Sequence, residues 1–154
     1  MATYKYELHT HTHECDRCAH LSAAELVRLY KEAGYDGMVV TDHYIERFYR
    51  SWFPDEVAGL SHKEQVARWL RGYYAAKEEG EKIGFAVFPG AEVRFDEGPN
   101  DYLIYGLPMT SGSDIHGMNR LAKGGIETDR RITTPEELSA VLRRGEYRLI
   151  ENYD

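Results

Sequence analysis

Residues 7 to 16, ELHTHTHECD, set three histidines at alternate positions, His9, His11 and His13, and follow them with Glu14, Cys15 and Asp16. Alternate side chains of a β-strand share one face, so this spacing aims imidazoles at a single place. Imidazole nitrogen and carboxylate oxygen together suit Zn, Mn or Fe. The same chemistry recurs downstream. GMVVTDH ends in Asp42 and His43, GFAVFPGAE ends in Glu92, and MTSGSDIHG carries Asp114 and His116. That is more ligand-type groups than one tetrahedral ion uses, and a site for two or more metals is the economical reading.

Such residues need a frame that gathers strand ends. The chain alternates short apolar runs with capped helices, which is the rhythm of an α/β fold. Ser22 with Glu25 in SAAELVRLYKEAG and Ser61 with Glu64 in SHKEQVARWLRGYYAAKEEG are capping boxes, each followed by a closing glycine. In TTPEELSAVLRRGEYRLI, Thr134 caps, Pro135 suits the first helical position, Gly145 ends the helix, and YRLI makes a last strand. In parallel α/β sheets functional groups collect at the carboxyl ends of the strands. His9 and His11 end the first strand, His43 the second, Glu92 the third, and Asp114 and His116 another.

Composition limits the classes of function. With 154 residues and 42% hydrophobic content the chain can bury one core, and a single domain over 1–154 is expected. Nineteen Lys and Arg against 26 Asp and Glu give a net charge of -7, so no electrostatic footprint for nucleic acid exists. No apolar run reaches the roughly 20 residues that span a bilayer, and MATYKYELHT lacks the apolar stretch of a signal peptide. A cytoplasmic protein without membrane contact is expected. Cys15 and Cys18 form a C-x-x-C pair with no supporting disulfide framework, and are expected to be reduced.

Taken in order, HTHTHECD, TDH, PGAE and GSDIHG resemble the motifs of the polymerase and histidinol phosphatase (PHP) family, metal-dependent phosphoesterases built on a distorted seven-stranded β/α barrel. The resemblance implies that His9 and His11 are the paired ligands of the first motif, with Asp16 at its trailing acidic position. It likewise implies His43 as the second-motif ligand, Glu92 as the bridging carboxylate, and Asp114 and His116 as the last pair. Two or three divalent ions (Zn, Mn or Fe) would then serve hydrolysis of a small phosphomonoester by a metal-activated hydroxide, with His11, Glu92 and Asp114 as catalytic residues. The chemistry is sound, because bound water can reach a pKa of about 7 and a metal clamp stabilises attacking and leaving oxygens. Arg17, Arg94 and the Arg130–Arg131 pair are candidates for holding the substrate phosphate. The second reading is a degenerate PHP-like module that keeps metal for stability or assembly without turnover.

NDYLIYGLPMTSGSDIHG passes from the strand-like YLIYG straight to the last motif, where family members carry further strands and helices. Parallel neighbours need a crossover of about a dozen residues, yet only Gly106, Leu107 and Pro108 separate the two runs. The expectation is a shortened PHP-type β/α barrel of mostly parallel strands, truncated internally near 101–113. Its open edges would be completed by homo-oligomerisation, most simply a dimer exchanging the segment from about residue 108 onward. Trp52, Phe53, Trp69, Tyr73 and Tyr74 read as packing, and the loop YIERFYRSWFPDE after His43 as a wall that shapes substrate choice. His13 and His20 read as solvent-facing or supporting residues.

Overall fold

Strand β1, Tyr4–Thr10, alternates apolar and polar side chains and becomes the middle of a five-stranded sheet. This arrangement comes from a computed structural model that describes residues 3–45, 51–94, 100–105, 118 and 121–151. On one side β1 pairs in parallel with β2 (Gly37–Val40), whose four residues are all buried, and β2 pairs in parallel with β3 (Ala86–Pro89). On the other side it pairs antiparallel with β6 (Gly124–Thr128), itself antiparallel to β7 (Arg148–Glu151). A separate two-stranded sheet joins β4 (Ala91–Arg94) to β5 (Asp101–Ile104).

Helices form where the capping signals stand. In α1, Ala23–Glu32, the Ser22 hydroxyl accepts from the Glu25 amide while the Glu25 carboxylate answers the Ser22 amide. The same box opens α3, His62–Trp69, at Ser61 and Glu64, and α5, Pro135–Arg144, at Thr134 and Glu137. A short α2, Pro54–Val57, precedes them, and α4, Arg71–Ile83, leads into β3. The sequence predicts one helix from Ser61 to Gly80; the structure breaks it at Leu70 and carries the second part to a left-handed Gly84. Tertiary contacts account for the break. The Trp69 carbonyl accepts from Cys15 Sγ at 2.7 Å. The start of α4 presses so close to the loop after β1 that a Cβ at Gly72 would lie 1.9 Å from Thr12 Oγ1.

Alternation along the strands divides the core between two faces. Met38 and Val40 pack with Leu26, Val27 and Tyr30 of α1 and Ala76 of α4. Tyr6, Leu8, Val39, Phe88 and Ile126 pack against Leu138, Val141 and Leu142 of α5 on the other face. The molecule is therefore a helix–sheet–helix α/β sandwich.

Two expectations are corrected. The sheet is mixed rather than mostly parallel, because GGIET, unrecognised as a strand, inserts antiparallel beside β1. Its two glycines suppress the strand signal, and close backbone approach favours glycine here: a Cβ on Gly125 would meet Tyr6 O at 2.5 Å. GFAVFPGAE is not one strand but two, split at Gly90, where a Cβ would strike Val39 and Thr41. Among the described residues the five-stranded sheet is open, with β3 and β7 at its edges. No described helix is long and apolar enough to cross a membrane.

Candidate metal centre

The site begins at the carboxyl end of β1. Thr10 fastens that end to β2: its amide donates to Thr41 Oγ1 at 3.1 Å and its hydroxyl to Val39 O at 2.7 Å. The loops after β1 and β2 are tied together by Asp42, whose oxygens accept the Thr12 amide at 2.6 Å and the Thr12 hydroxyl at 2.8 Å. Burial, with the neighbouring Asp16 charge, pushes the Asp42 carboxyl up to about 7. After β3 the turn at Gly90 carries the chain back to pair Glu92 with His43 in an isolated parallel bridge. Three strand ends thus meet.

Their side chains converge on one oxygen. Glu92 Oε2 lies 3.1 Å from His9 Nε2, 3.0 Å from His11 Nε2 and 3.3 Å from His43 Nε2. His9 and His11 Nε2 are themselves 3.0 Å apart. The His11 and His43 rings stack with centroids 4.5 Å apart. Behind them, on the far side of the rings from Glu92, Asp16 Oδ2 lies 2.7 Å from His11 Nδ1 and 3.0 Å from His43 Nδ1, and accepts the His43 amide. A carboxylate that takes the Nδ1 proton fixes the tautomer with its Nε2 lone pair outward, the usual arrangement behind a metal-binding histidine.

The donor set fits a divalent cation. Nitrogen and oxygen lone pairs at such distances repel unless positive charge lies between them. A tetrahedral ion with bonds of about 2.0–2.1 Å holds its ligands about 3.3 Å apart, close to the spacing seen here. The donors fall into two overlapping groups, His9 with His11 and Glu92, and His11 with Asp16 and His43. The buried Asp16 Oδ1 has no hydrogen-bond partner among the described residues.

Electrostatics point the same way. Burial raises the Glu92 carboxyl, but His11 and His9 beside it outweigh that and hold it well below the usual carboxylate range. Asp16 is lowered as well, hydrogen bonds from His11 and His43 overcoming its burial. Burial disfavours the His43 cation, yet Asp16, helped by Cys18, raises that imidazole to about 9. The pocket draws positive charge.

Other expected residues stand elsewhere. Asp114 and His116 lie outside the described residues. His13 leaves the strand, because β1 ends at Thr10; it is exposed, with Nδ1 3.2 Å from Ala19 O. His20 is exposed too. Arg17 is exposed and stacks its guanidinium 5.5 Å from the Phe53 ring centre. Arg94 forks onto Asp101 at 2.6 and 2.5 Å. Arg130 is not brought to the histidines. Pairing of Thr128 with Tyr4 puts the chain after β6 at the amino end of β1, where Arg130 lies 3.9 Å from Glu146. Cys15 and Cys18 form no disulfide: Cys15 is buried against Trp69 and Gly72, and Cys18 Sγ lies 4.0 Å from His43 Nδ1. Burial pushes the Cys15 thiol far up.

Sequence reading missed Glu7, which is buried in β1 and bonded to the amide of His9. A carboxylate two positions before the histidines was the available signal. It also left open the part played by Trp52, whose ring stands edge-on to His43 at 5.7 Å and walls the centre.

Residues 104–147 match the family model described as PHP-associated. No curated protein matches the chain. A solved two-domain protein from Bacteroides vulgatus, described as containing a predicted PHP-like metal-dependent phosphoesterase, is similar at 16% identity with a TM-score of 0.43. The likeness covers 96% of this chain and 34% of that one, so the chain spans about a third of that protein's length. The matched residues 104–147 take in the GSDIHG motif.

Proposed function

We propose that this chain is a metal-dependent phosphoesterase acting on a small phosphomonoester. The observation that carries the reading is the convergence of three Nε2 atoms on Glu92 Oε2 within 3.0–3.3 Å. His9, His11 and Glu92 would hold one divalent ion and His43 would face a second, with Asp16 supporting the rings from behind and Asp114 and His116 of the last motif completing the set. When bound, such ions (Zn, Mn or Fe) supply Lewis acidity and lower the pKa of water at the site.

The chain's own groups supply the rest. Asp16 holds the His11 and His43 rings in register through their Nδ1 atoms. Glu92 presents an ionised oxygen at neutral pH. His9 and His43, both half-buried, stand on the accessible side, where a phosphate would approach. Arg17, next to Asp16 in the chain, is the basic group we assign to phosphate. Trp52 covers the His43 side. We assign His11, Glu92 and Asp114 as catalytic.

Within this reading the chain is a single shortened PHP-type domain over 1–154 in a cytoplasmic setting that keeps Cys15 and Cys18 reduced. The open edges at β3 and β7 support a homo-oligomer, most simply a dimer exchanging the segment from about residue 108. One observation favours the non-catalytic alternative: Arg94 is engaged by Asp101 and Arg130 lies at the far end of the sheet, which thins the positive charge for phosphate. Hydrolysis of a generic aryl phosphate by Mn- or Zn-loaded protein separates the two. Turnover abolished in His11→Ala supports the enzyme. A metal-loaded protein with no turnover leaves the binding module.

A further inference from the structure

We propose that Glu7, held by Tyr30, is a positioning residue of the metal centre: it fixes a bulge at the end of β1 that sets His9 among the donors. The inference rests on the metal-centre reading above. Pairing of β1 with β2 runs Tyr6 to Gly37, Glu7 to Met38, then Thr10 to Val40. Three steps along β1 therefore match two along β2, so Leu8 and His9 together face Val39. Such an extra residue frees amides from the ladder and re-aims the side chains that follow.

Here both amides find one acceptor. Glu7 Oε1 takes the Leu8 amide at 2.8 Å and the His9 amide at 3.0 Å. Its other oxygen accepts the Tyr30 hydroxyl of α1 at 3.0 Å. Glu7 and Tyr30 are both 0% exposed. A carboxylate is costly to bury unless its oxygens are bonded, and an apolar residue would fill the volume as well, as Leu8 does next door. What the carboxylate adds is a rigid link from α1 to the backbone of a ligand residue. The extra residue also breaks the period-two alternation, and His9 reaches Glu92 while Glu7 reaches α1. Metal affinity depends on such outer contacts, because they set ligand orientation before the ion arrives.

The test is cobalt(II) titration of the full chain, read as affinity and as the visible spectrum, which reports ligand number and geometry. Parent, Glu7→Leu, Tyr30→Phe and His9→Ala are compared at a temperature where circular dichroism shows each folded. Glu7→Leu removes the acceptor of both amides and is expected to lose about 10- to 100-fold in affinity and to move the cobalt spectrum in the direction of His9→Ala. Tyr30→Phe moves both the same way and less. If Glu7→Leu does not fold, Tyr30→Phe decides alone, since it removes a single hydroxyl. Folded variants with a lower melting temperature but parental spectrum and affinity would show a merely structural role and overturn the proposal. A parent that binds no cobalt sinks the metal centre itself, and this inference with it.

Discussion

His9 Nε2 sits 3.1 Å from Glu92 Oε2 across 83 residues of chain. Neither residue reaches the other through its own element. The contact exists because β1 ends in a bulge and because the chain turns at Gly90, where only hydrogen fits between Val39 and Thr41. Several expectations come from this meeting point.

Protein purified after metal-supplemented growth should carry bound transition metal, and His11→Ala should lose both metal and turnover. His11 lies at the overlap of the two donor groups, so its removal disables both. Elemental analysis giving below about 0.2 ions per chain in the parent would argue strongly against the centre, since structured sites of this kind bind tightly.

Asp16→Ala tests the support behind the rings. It removes the single oxygen that accepts from both His11 Nδ1 and His43 Nδ1, so the rings lose what fixes their tautomer and aim. Metal affinity should drop about 10- to 100-fold in chelator competition. Unchanged affinity would leave Asp16 with no part in the centre.

Gly72→Ala should destabilise by about 1–3 kcal/mol, the usual range for overpacking. The added Cβ would meet both Thr12 Oγ1 and Asp42 Oδ2, the pair that ties the site loops together. Urea denaturation gives the loss. Because the clash falls on that pair, metal affinity should fall along with stability, whereas a purely local clash would spare it.

Alkaline stability should depend on Tyr6. Burial raises its phenol to about 12, and its hydroxyl joins the amide and carbonyl of Ile132 between β1 and the start of the α5 layer. The folded state binds this proton more tightly than the unfolded chain does. The contribution is therefore complete below about pH 10 and vanishes as pH climbs to 12, amounting to roughly 3 kcal/mol for a shift of that size. Tyr6→Phe should flatten that part of the denaturation profile. If wild type and variant lose stability in parallel between pH 10 and 12, Tyr6 is not responsible.

Light scattering should give at least twice the 17.8 kDa chain mass if the sheet is completed by a partner. In the exchanged dimer, mixing His11→Ala with Asp114→Asn chains should restore metal binding in hybrid sites. A fully metallated monomer would end the exchange idea.

Short-range features were readable from the residues alone. The capping boxes at Ser22 and Ser61 and the cap at Thr134 formed, and Gly145 closed its helix, because each is a set of hydrogen bonds closed within a few positions. The strand ends bearing His9, His11 and His43 were legible for the same reason, periodicity and β-branched runs being local. Tertiary structure alone decided the rest. The antiparallel entry of GGIET set the end of the sheet at which Arg130 emerges, and no local signal in two glycines reports which strand will accept them. The break at Leu70 follows from a thiol bond to Trp69 and a close approach at Gly72. Asp16 came to lie behind the rings rather than beside Glu92, and Glu7 came to accept the Leu8 and His9 amides at the bulge of β1. In each case the deciding contact joins residues far apart in sequence, and its energy is realised only once the sheet has set their register.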